Sequence, residues 1–393
     1  MSVYAEKLVD LKRAGRMRSL KPLSGRSGCR IVYGGRKLLN LTSNDYLGVA
    51  GDAGLHARFY STLDDSDLLD TFGLGAASSR LLTGDAAKAH ILEECLTTAW
   101  QKEACLLFNS GYHANIGILP ALFGKNDLIL SDKLNHASIM DGMQLSKAQY
   151  KRYRHRDYDH LASLLKTYRK KFNKVVIVSE SVFSMDGDVA DIQTLISIKN
   201  EYNCTLYLDE AHAIGLYGDR GLGMAEEQGA VEGVDFLVGT FGKAPGSIGA
   251  FVLCTKEICS YLINHSRSLI FTTALPPVIH CWNHFIMQEI FKMSEKRQHL
   301  QQIASQLRQE LLENSLKTDG TTNIVPVMIG DDALAVSLAE KMQNKGYLIF
   351  PVRPPAVPEG TARFRLSLTA DMEWDDIKNV AADISYIMPR GAV

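Results

Sequence analysis

The stretch Leu206-Tyr207-Leu208-Asp209-Glu210-Ala211-His212 places an aspartate and a histidine directly after an apolar, strand-like run. A second such run, Phe236-Leu237-Val238, leads through Thr240-Phe241-Gly242 to Lys243. Open α/β sheets bind ligands at the carboxyl ends of their strands. We therefore expect Asp209, His212 and Lys243 to meet at one edge of a sheet.

The remaining sequence alternates apolar runs with amphipathic segments, a pattern typical of an α/β fold with a mainly parallel sheet covered on both faces. Strands are predicted at 104–108, 127–130, 174–179, 205–209 and 236–240, and helices at 3–18, 90–100, 188–202 and 332–344. A run at 248–254 is also strand-sized, and a hairpin is predicted around Gly34-Gly35. We expect an N-terminal helix and hairpin segment (1–44), a large domain (45–275) and a smaller α+β domain (276–393).

Composition excludes several classes of protein. The 393 residues carry 43 basic and 44 acidic side chains, and this balance favours neither nucleic acid nor an anionic membrane as a partner. The seven cysteines form no Cys-x-x-Cys pair, which predicts free thiols and no metal site. No apolar run reaches the ~18 residues of a membrane helix. Glu6 and Asp10 argue against a transit peptide, so a cytoplasmic location is expected.

A carboxylate, an imidazole and an amine at strand ends suit pyridoxal 5'-phosphate (PLP). Lys243 would hold the aldehyde as a Schiff base, Asp209 would keep the pyridine nitrogen protonated, and His212 could reach the phenolic oxygen. The alternatives are a solvated turn lysine and a helix-capping aspartate. A nucleotide-binding P-loop is excluded because Leu237 and Ala244 stand where that motif needs glycine and a hydroxyl residue.

Two further segments could complete such a site. His136 follows the apolar run at 128–130; it is either a surface histidine or an imidazole stacked over the pyridine face. Asn109-Ser110-Gly111-Tyr112 ends one strand and begins a helix, so its backbone amides could bind a phosphate. Ser184 and Thr240 are candidate hydroxyl donors.

Nine ordered motifs extend this pattern over nearly the whole chain. They lie at 43–48, 108–112, 135–138, 183–188, 209–212, 240–243, 271–277, 353–355 and 360–365. Together they resemble the α-oxoamine synthase family, whose members are PLP-dependent enzymes of fold type I, with an aspartate aminotransferase-like fold. The Asn-Asp-Tyr-Leu-Gly, Phe-Ser-Met-Asp-Gly-Asp and Arg-Pro-Pro segments are the most restrictive part of this resemblance.

The resemblance implies roles for individual residues. Lys243 would also be the base that removes the substrate α-proton, and His136 would serve as an acid later in the reaction. The residues implied in holding PLP are Lys243, Asp209, His212, His136, Gly111, Tyr112, Ser184 and Thr240, with Thr272 or Thr273 reaching the neighbouring subunit's phosphate. The residues implied in binding substrates are Arg365 and Asn44 for the amino acid carboxylate, and Arg18 and Ala356 for the acyl group.

The implied reaction is the decarboxylative condensation of L-alanine with pimeloyl-CoA, a step of biotin biosynthesis, in a homodimer with shared active sites. The alternatives within the family are glycine C-acetyltransferase, 5-aminolevulinate synthase and serine palmitoyltransferase. A more distant alternative is an inactive PLP-fold binding subunit. The carrier of the acyl group, coenzyme A or acyl carrier protein, is left open by the sequence.

The chain departs from the family pattern at two places. Ala77 and Ser78 stand where a glycine pair is usual, so any backbone there with a positive φ would be strained. Ala356 follows Arg353-Pro354-Pro355 where threonine is common. Both departures bear on the acyl preference and leave the expected chemistry unchanged.

Overall fold

The computed structural model describes residues 2–62 and 65–389, and these form two compact units. We call Met1–Ala53, Ser184–Val189 and Glu295–Val393 the terminal unit, and Gly54–Phe183 with Ala190–Ser294 the central unit. These ranges differ from the predicted segments 1–44, 45–275 and 276–393, and that three-part division stays a prediction.

The secondary structure is numbered in chain order. The strands are β1 (Leu23–Ser27), β2 (Arg30–Tyr33), β3 (Arg36–Asn40), β4 (Ala104–Phe108), β5 (Leu128–Asp132), β6 (Gln149–Tyr153), β7 (Val175–Glu180), β8 (Thr205–Asp209), β9 (Phe236–Thr240), β10 (Ala250–Cys254), β11 (Ile324–Gly330), β12 (Tyr347–Leu348), β13 (Pro351–Val352) and β14 (Ala362–Ser367). The α-helices are α1 (Val3–Arg13), α2 (Ala53–Tyr60), α3 (Leu68–Phe72), α4 (Ala87–Trp100), α5 (Gly111–Leu122), α6 (Ala137–Leu145), α7 (Tyr158–Tyr168), α8 (Ile192–Glu201), α9 (Met224–Glu227), α10 (Lys256–His265), α11 (Arg267–Ile270), α12 (Pro277–Ile290), α13 (Ser294–Glu313), α14 (Asp332–Asn344), α15 (Trp374–Ile377) and α16 (Val380–Ile387).

The central unit is built on a 7-stranded sheet with the order β4-β10-β9-β8-β7-β5-β6. The neighbours from β9 to β6 are parallel, whereas β10 runs antiparallel to β4 and β9. This arrangement confirms the predicted α/β fold with a mainly parallel sheet. The sequence did not predict β6, because this edge strand is mostly polar and exposed and lacks the apolar pattern of its neighbours.

The core of the central unit explains why its strands read as continuous apolar runs. Every residue of β5, β7, β9 and β10 is buried. Side chains of α5 and α6 pack with these strands in one hydrophobic cluster, which includes Ile118, Ile139 and Val178. Strands buried on both faces need apolar side chains at successive positions, so the alternating pattern of a half-buried strand is absent.

The terminal unit contains two smaller sheets, β1-β2-β3-β12 and β11-β14-β13. The predicted hairpin is present as β2 and β3, joined by Gly34 and Gly35 with φ values of 56° and 75°. Helix α1 ends at Arg13 and not near residue 18 as predicted. Gly15 has a φ of 65° and its N–H bonds to the carbonyl of Lys12, a left-handed ending that stops the helix.

Two general features of the described residues bear on function. None of their helices combines the length and apolar character that a membrane crossing requires. All seven cysteines are free thiols.

Candidate active site

The predicted site residues of the central unit follow the carboxyl ends of neighbouring strands. Phe108 of β4 and Thr240 of β9 are both paired with Ala250 of β10. Glu180 of β7 is paired with Asp209 of β8. Because β4, β7, β8 and β9 run in the same direction, the segments that follow them meet at one edge of the sheet. Ligands of open α/β sheets bind at this edge.

Asp209 is a buried carboxylate that receives only neutral hydrogen-bond donors. One oxygen accepts a bond of 2.9 Å from the backbone N–H of Ala211, and the other accepts a bond of 2.9 Å from the side-chain amide of Asn115. A buried carboxylate of this kind is costly without a cationic partner, and a protonated pyridine nitrogen would supply one.

His136 is the N-cap of α6 and is an exposed residue. Its Nδ1 lies 2.8 Å from the Ser138 hydroxyl and accepts a hydrogen bond from the Ser138 backbone N–H. Its own backbone N–H donates to the Glu180 carboxylate. Surrounding protein atoms desolvate the ring and lower its pKa; the negative charge of Asp209 opposes this effect and the positive charge of Lys243 adds to it. Asp209 and Lys243 therefore both act electrostatically on His136.

His212 is buried three residues after Asp209. Glu210, between them, faces the protein's own donors: it accepts from the Ser181 hydroxyl and from the N–H groups of Met224 and Ala225. Burial raises the pKa of Glu210 to about 7. Glu210 therefore fixes the start of α9.

Helix α5 begins at Gly111, within the segment that the sequence predicts to bind the phosphate. A Cβ built at Gly111 would lie 3.8 Å from the Thr240 Cβ, so a helix N-terminus and a hydroxyl residue adjoin. The hydroxyl of Thr240 bonds to the carbonyl of Gly249 at 2.9 Å. Tyr112 is exposed, and its hydroxyl donates to Asp141. Helix N-termini with small residues bind anions through free N–H groups.

Lys243 is half-buried in a tight turn that follows β9. Its carbonyl accepts a hydrogen bond of 2.9 Å from the N–H of Gly246, and Phe241 is bonded to Gly249 across the turn. The turn thus presents the lysine at the same sheet edge as Asp209. These residues fit PLP: the sheet edge offers an amine, a helix N-terminus and a buried carboxylate whose hydrogen-bond donors are neutral.

In the terminal unit, Arg365 is half-buried on β14 and surrounded by neutral oxygen atoms. It donates to the side-chain oxygen of Asn44 at 3.1 Å, to the hydroxyl of Tyr46 at 2.8 Å, and to Ser367 and the carbonyl of Ser184. No carboxylate in residues 2–62 or 65–389 forms an ion pair with it. These bonds orient the guanidinium and leave its charge uncompensated, as expected of a site for an anion.

Arg18 and Arg353, also in the terminal unit, form a second group of positive charges. Arg18 donates to the carbonyls of Arg353 and Pro354, and Arg353 donates to the carbonyl of Gly15. Neither forms an ion pair with a carboxylate among the described residues. Burial and the charge of Arg18 lower the pKa of Arg353. Ala356 is exposed in the same turn, with its N–H bonded to the carbonyl of Arg353.

The loop that departs from the family pattern has the backbone strain that the sequence suggested. Ala77 has a φ of 54°, in the left-handed region that favours glycine, whereas Ser78 is not among the residues with positive φ. The carbonyl of Ser78 accepts a hydrogen bond of 2.9 Å from the N–H of Ala274, just after Thr272 and Thr273. Of the two substituted positions, Ala77 therefore has the strained backbone and Ser78 does not.

Sequence reasoning missed several residues that contact the predicted ones. Asn115, Ser138 and Glu180 contact Asp209 or His136 in the central unit, and Tyr46 and Ser367 contact Arg365 in the terminal unit. One signal was available: Asn115 is a lone amide among the apolar residues that α5 buries. Glu180 ends a fully buried strand, and burial followed by the charge of Asp209 raises its pKa.

Comparison with known proteins agrees with this geometry. The family model for aminotransferases of class I and II matches residues 36–384, so the chain belongs to that family. It is a PLP-dependent transferase with the fold-type-I architecture, which confirms the fold, the cofactor and the enzyme class predicted from the sequence.

The more specific relatives carry the names of two kinds of enzyme. The chain is 46% identical over 377 residues to the 8-amino-7-oxononanoate synthase of Chlorobaculum parvum, covering 96% of each sequence. Serine palmitoyltransferase of Sphingomonas wittichii matches with a TM-score of 0.89 and 29% identity, covering 98% of both chains. The 8-amino-7-oxononanoate synthase of Francisella tularensis matches with a TM-score of 0.74 and 27% identity, over 89% of this chain and 97% of that one.

Proposed function

We propose that this enzyme condenses L-alanine with a pimeloyl thioester, releasing carbon dioxide and forming 8-amino-7-oxononanoate for biotin synthesis. The names of relatives that are 46% identical over almost the whole chain support this proposal. The observation that carries it is Arg365, a guanidinium oriented by neutral oxygens with no carboxylate partner in the described residues. An amino acid substrate presents the missing carboxylate.

In the proposed site, each part of PLP would be held by a particular residue. Asp209 would pair with the pyridine nitrogen, His136 would stack on the ring and Lys243 would hold the aldehyde carbon. His212 would contact the phenolic oxygen. The phosphate would be bound by Gly111, Tyr112, Ser184 and Thr240. When bound, PLP withdraws electrons from the substrate α-carbon, an effect strengthened by a protonated ring nitrogen.

The chain's own residues would move the protons. Lys243 would remove the α-proton, since the amine that holds the cofactor lies beside the substrate α-carbon once it is released. Two donors of Ser138 point at Nδ1 of His136, so the neutral ring carries its proton on Nε2. His136 could then donate that proton at a later step. The lowered pKa of His136 favours this neutral form.

Arg18 and Arg353 support a dicarboxylic acyl group as the second substrate. Two neighbouring guanidinium groups without a carboxylate repel one another, and a carboxylate at the far end of a pimeloyl chain would relieve that repulsion. A saturated long-chain acyl group, such as the substrate named for serine palmitoyltransferase, offers no such charge. This contrast favours the pimeloyl donor over a long-chain donor.

We also infer a cytoplasmic homodimer in which two chains share active sites. Four large apolar side chains of the central unit are highly exposed: Leu69, Leu74, Leu82 and Phe271. Such residues are typical of surfaces that another subunit covers. Sedimentation of the holoenzyme is expected to give a dimer, and an active monomer would contradict this assembly.

A substrate panel tests the proposed reaction. Glycine, alanine and serine would each be combined with acetyl-, succinyl-, pimeloyl- and palmitoyl-CoA and with pimeloyl-acyl carrier protein, and products would be measured by mass spectrometry. We expect turnover with alanine and a pimeloyl donor. Turnover with serine and palmitoyl-CoA, without turnover of pimeloyl donors, would instead assign a long-chain synthase.

A second experiment tests whether the enzyme recognises the carboxylate at the far end of the pimeloyl chain. Arg18→Gln and Arg353→Gln are expected to lower kcat/KM for pimeloyl-CoA about tenfold and to leave heptanoyl-CoA nearly unaffected, because a charge-assisted hydrogen bond contributes about 1.5 kcal/mol or more. Arg16→Gln is the matched control, since Arg16 is already paired with Asp332 and Glu359. Equal losses of kcat/KM for pimeloyl-CoA and heptanoyl-CoA would contradict the proposal that these arginines recognise the distal carboxylate.

A further inference from the structure

A single buried amide links the two residues proposed to contact the PLP ring. The side-chain nitrogen of Asn115 donates to Asp209 and to the hydroxyl of Ser138, both at 2.9 Å. Its side-chain oxygen accepts from the phenol of Tyr207 at 2.5 Å. Asn115 is 1% exposed, so solvent cannot replace these bonds.

The hydrogen bonds have a defined direction from Tyr207 to His136. The phenol donates to the amide oxygen, which fixes the amide nitrogen toward Asp209 and Ser138. The Ser138 hydroxyl receives one amide hydrogen and has its own hydrogen free for Nδ1 of His136, 2.8 Å away. A chain of aligned donors in a buried site is stronger and more rigid than isolated pairs.

Charge explains why an amide suits this position. A basic side chain would neutralise Asp209 and compete with the ring nitrogen, whereas a second carboxylate would repel it. An apolar side chain would leave Asp209 and Ser138 without a donor, which costs ~1–3 kcal/mol for each buried group. The neutral amide donates to both partners and leaves the negative charge of Asp209 available.

We propose that Asn115 is a positioning residue that couples Asp209 to His136, so that the group at the ring nitrogen and the group on the ring face are held as one rigid unit. The inference rests on the proposed roles of Asp209 and His136. Asn115 would touch neither PLP nor the substrate and would act only through these two residues.

Asn115→Leu tests the coupling by removing the amide while nearly keeping its volume. We expect the dissociation constant for PLP, measured on the apoprotein, to rise about tenfold. We also expect the pH midpoint of the cofactor's visible absorption change to move by about one unit, since hydrogen bonds to a charged group contribute ~1.5–3 kcal/mol. Asn283→Leu is the matched control, because Asn283 is a fully buried amide of the same unit that bonds to the Ile248 carbonyl and contacts neither residue. It should leave the midpoint unchanged.

Ser138→Ala provides a milder test should Asn115→Leu not fold. Ser138 makes no bond to Asp209 and joins Asn115 to His136, so we expect its loss to break the chain of hydrogen bonds and shift the absorption midpoint. An unchanged midpoint in Ser138→Ala, or a shift in Asn283→Leu as large as that in Asn115→Leu, would overturn the proposal.

A double-mutant cycle separates this inference from the proposed function. If Asn115 acts through Asp209, Asn115→Leu should have little further effect on the PLP dissociation constant in an Asp209→Asn background. Full additivity of the two changes would indicate a structural role only. A spectrum that Asp209→Asn itself leaves unchanged would instead refute the proposed role of Asp209.

Discussion

The candidate site residues of the two units differ in the sign of the charge that accepts hydrogen bonds from, or donates them to, neutral groups. In the central unit, Asp209 is buried at the end of β8 and accepts hydrogen bonds from two neutral donors. In the terminal unit, Arg365, Arg18 and Arg353 donate to neutral oxygens and have no carboxylate partner among the described residues. The central unit therefore suits a cationic ring, and the terminal unit suits anionic substrate groups.

Two arginines on β14 show how this difference can be recognised. Arg363 is 5% exposed and forms an ion pair with Asp186. Arg365, two residues later on the same face of the strand, has only neutral partners. The residue type and strand are the same, so the partner distinguishes the two: Arg363 is paired within the fold, and Arg365 is the one that we propose to bind a ligand. Substitutions in the two units should consequently change different measured quantities.

The largest effect is expected in the central unit from Lys243→Ala. The purified protein should lose the visible absorption of bound PLP, and turnover should fall by about 10⁴-fold because both the attachment point and the base are lost. Lys133→Ala is the control, since Lys133 is exposed in the loop before His136. Normal turnover together with retained absorption in Lys243→Ala would refute the assignment of this lysine.

A smaller and different effect is expected from Arg365→Gln in the terminal unit. The KM for alanine should rise by about 10- to 100-fold, which corresponds to loss of a charge-assisted hydrogen bond of ~1.5–3 kcal/mol. The absorption spectrum of bound PLP should not change. Steady-state kinetics and spectra of the same preparation would measure both quantities. A changed spectrum with an unchanged KM would contradict the proposal that Arg365 binds the amino acid and does not act on PLP.

Arg363→Gln is the matched variant for this experiment. Its loss leaves Asp186 without its ion-pair partner, and breaking a largely buried pair costs about 3 kcal/mol of unfolding free energy. Chemical denaturation should therefore report a loss of stability, and the KM for alanine should change little. Similar KM changes in both variants would mean that the two arginines share one role.

The sequence predicted the parts of the fold and site that depend on local pattern. Strands 104–108, 205–209 and 236–240 were predicted with their observed bounds because buried strands of this sheet are continuous apolar runs. The same pattern located Asp209 and Lys243 at strand ends. The polar edge strand β6 was missed because its side chains face solvent.

Contacts between distant residues could not be predicted in this way. Asn115 and Asp209 are joined through the packing of a helix on the sheet, and Arg363 and Asp186 are joined across 177 positions of the chain. Nothing in the local sequence distinguishes Arg363 from Arg365, because both alternate with apolar residues on one strand. Their different roles follow only from the carboxylate that approaches one of them.

The smallest effect is expected from Ala77→Gly, which tests whether strain in the central unit can be removed without a change in the cofactor site. A left-handed backbone costs ~1–2 kcal/mol for a residue with a Cβ, whereas the added freedom of glycine in the unfolded chain costs ~0.4–1 kcal/mol. The net gain of roughly 0.5–1 kcal/mol should raise the midpoint of thermal unfolding by about 1 °C, with the PLP spectrum unchanged. Ser78→Gly is the control: its φ is not positive, so only the entropic cost applies and the midpoint should fall. Equal shifts in the two variants would show that the left-handed φ of Ala77 carries no strain.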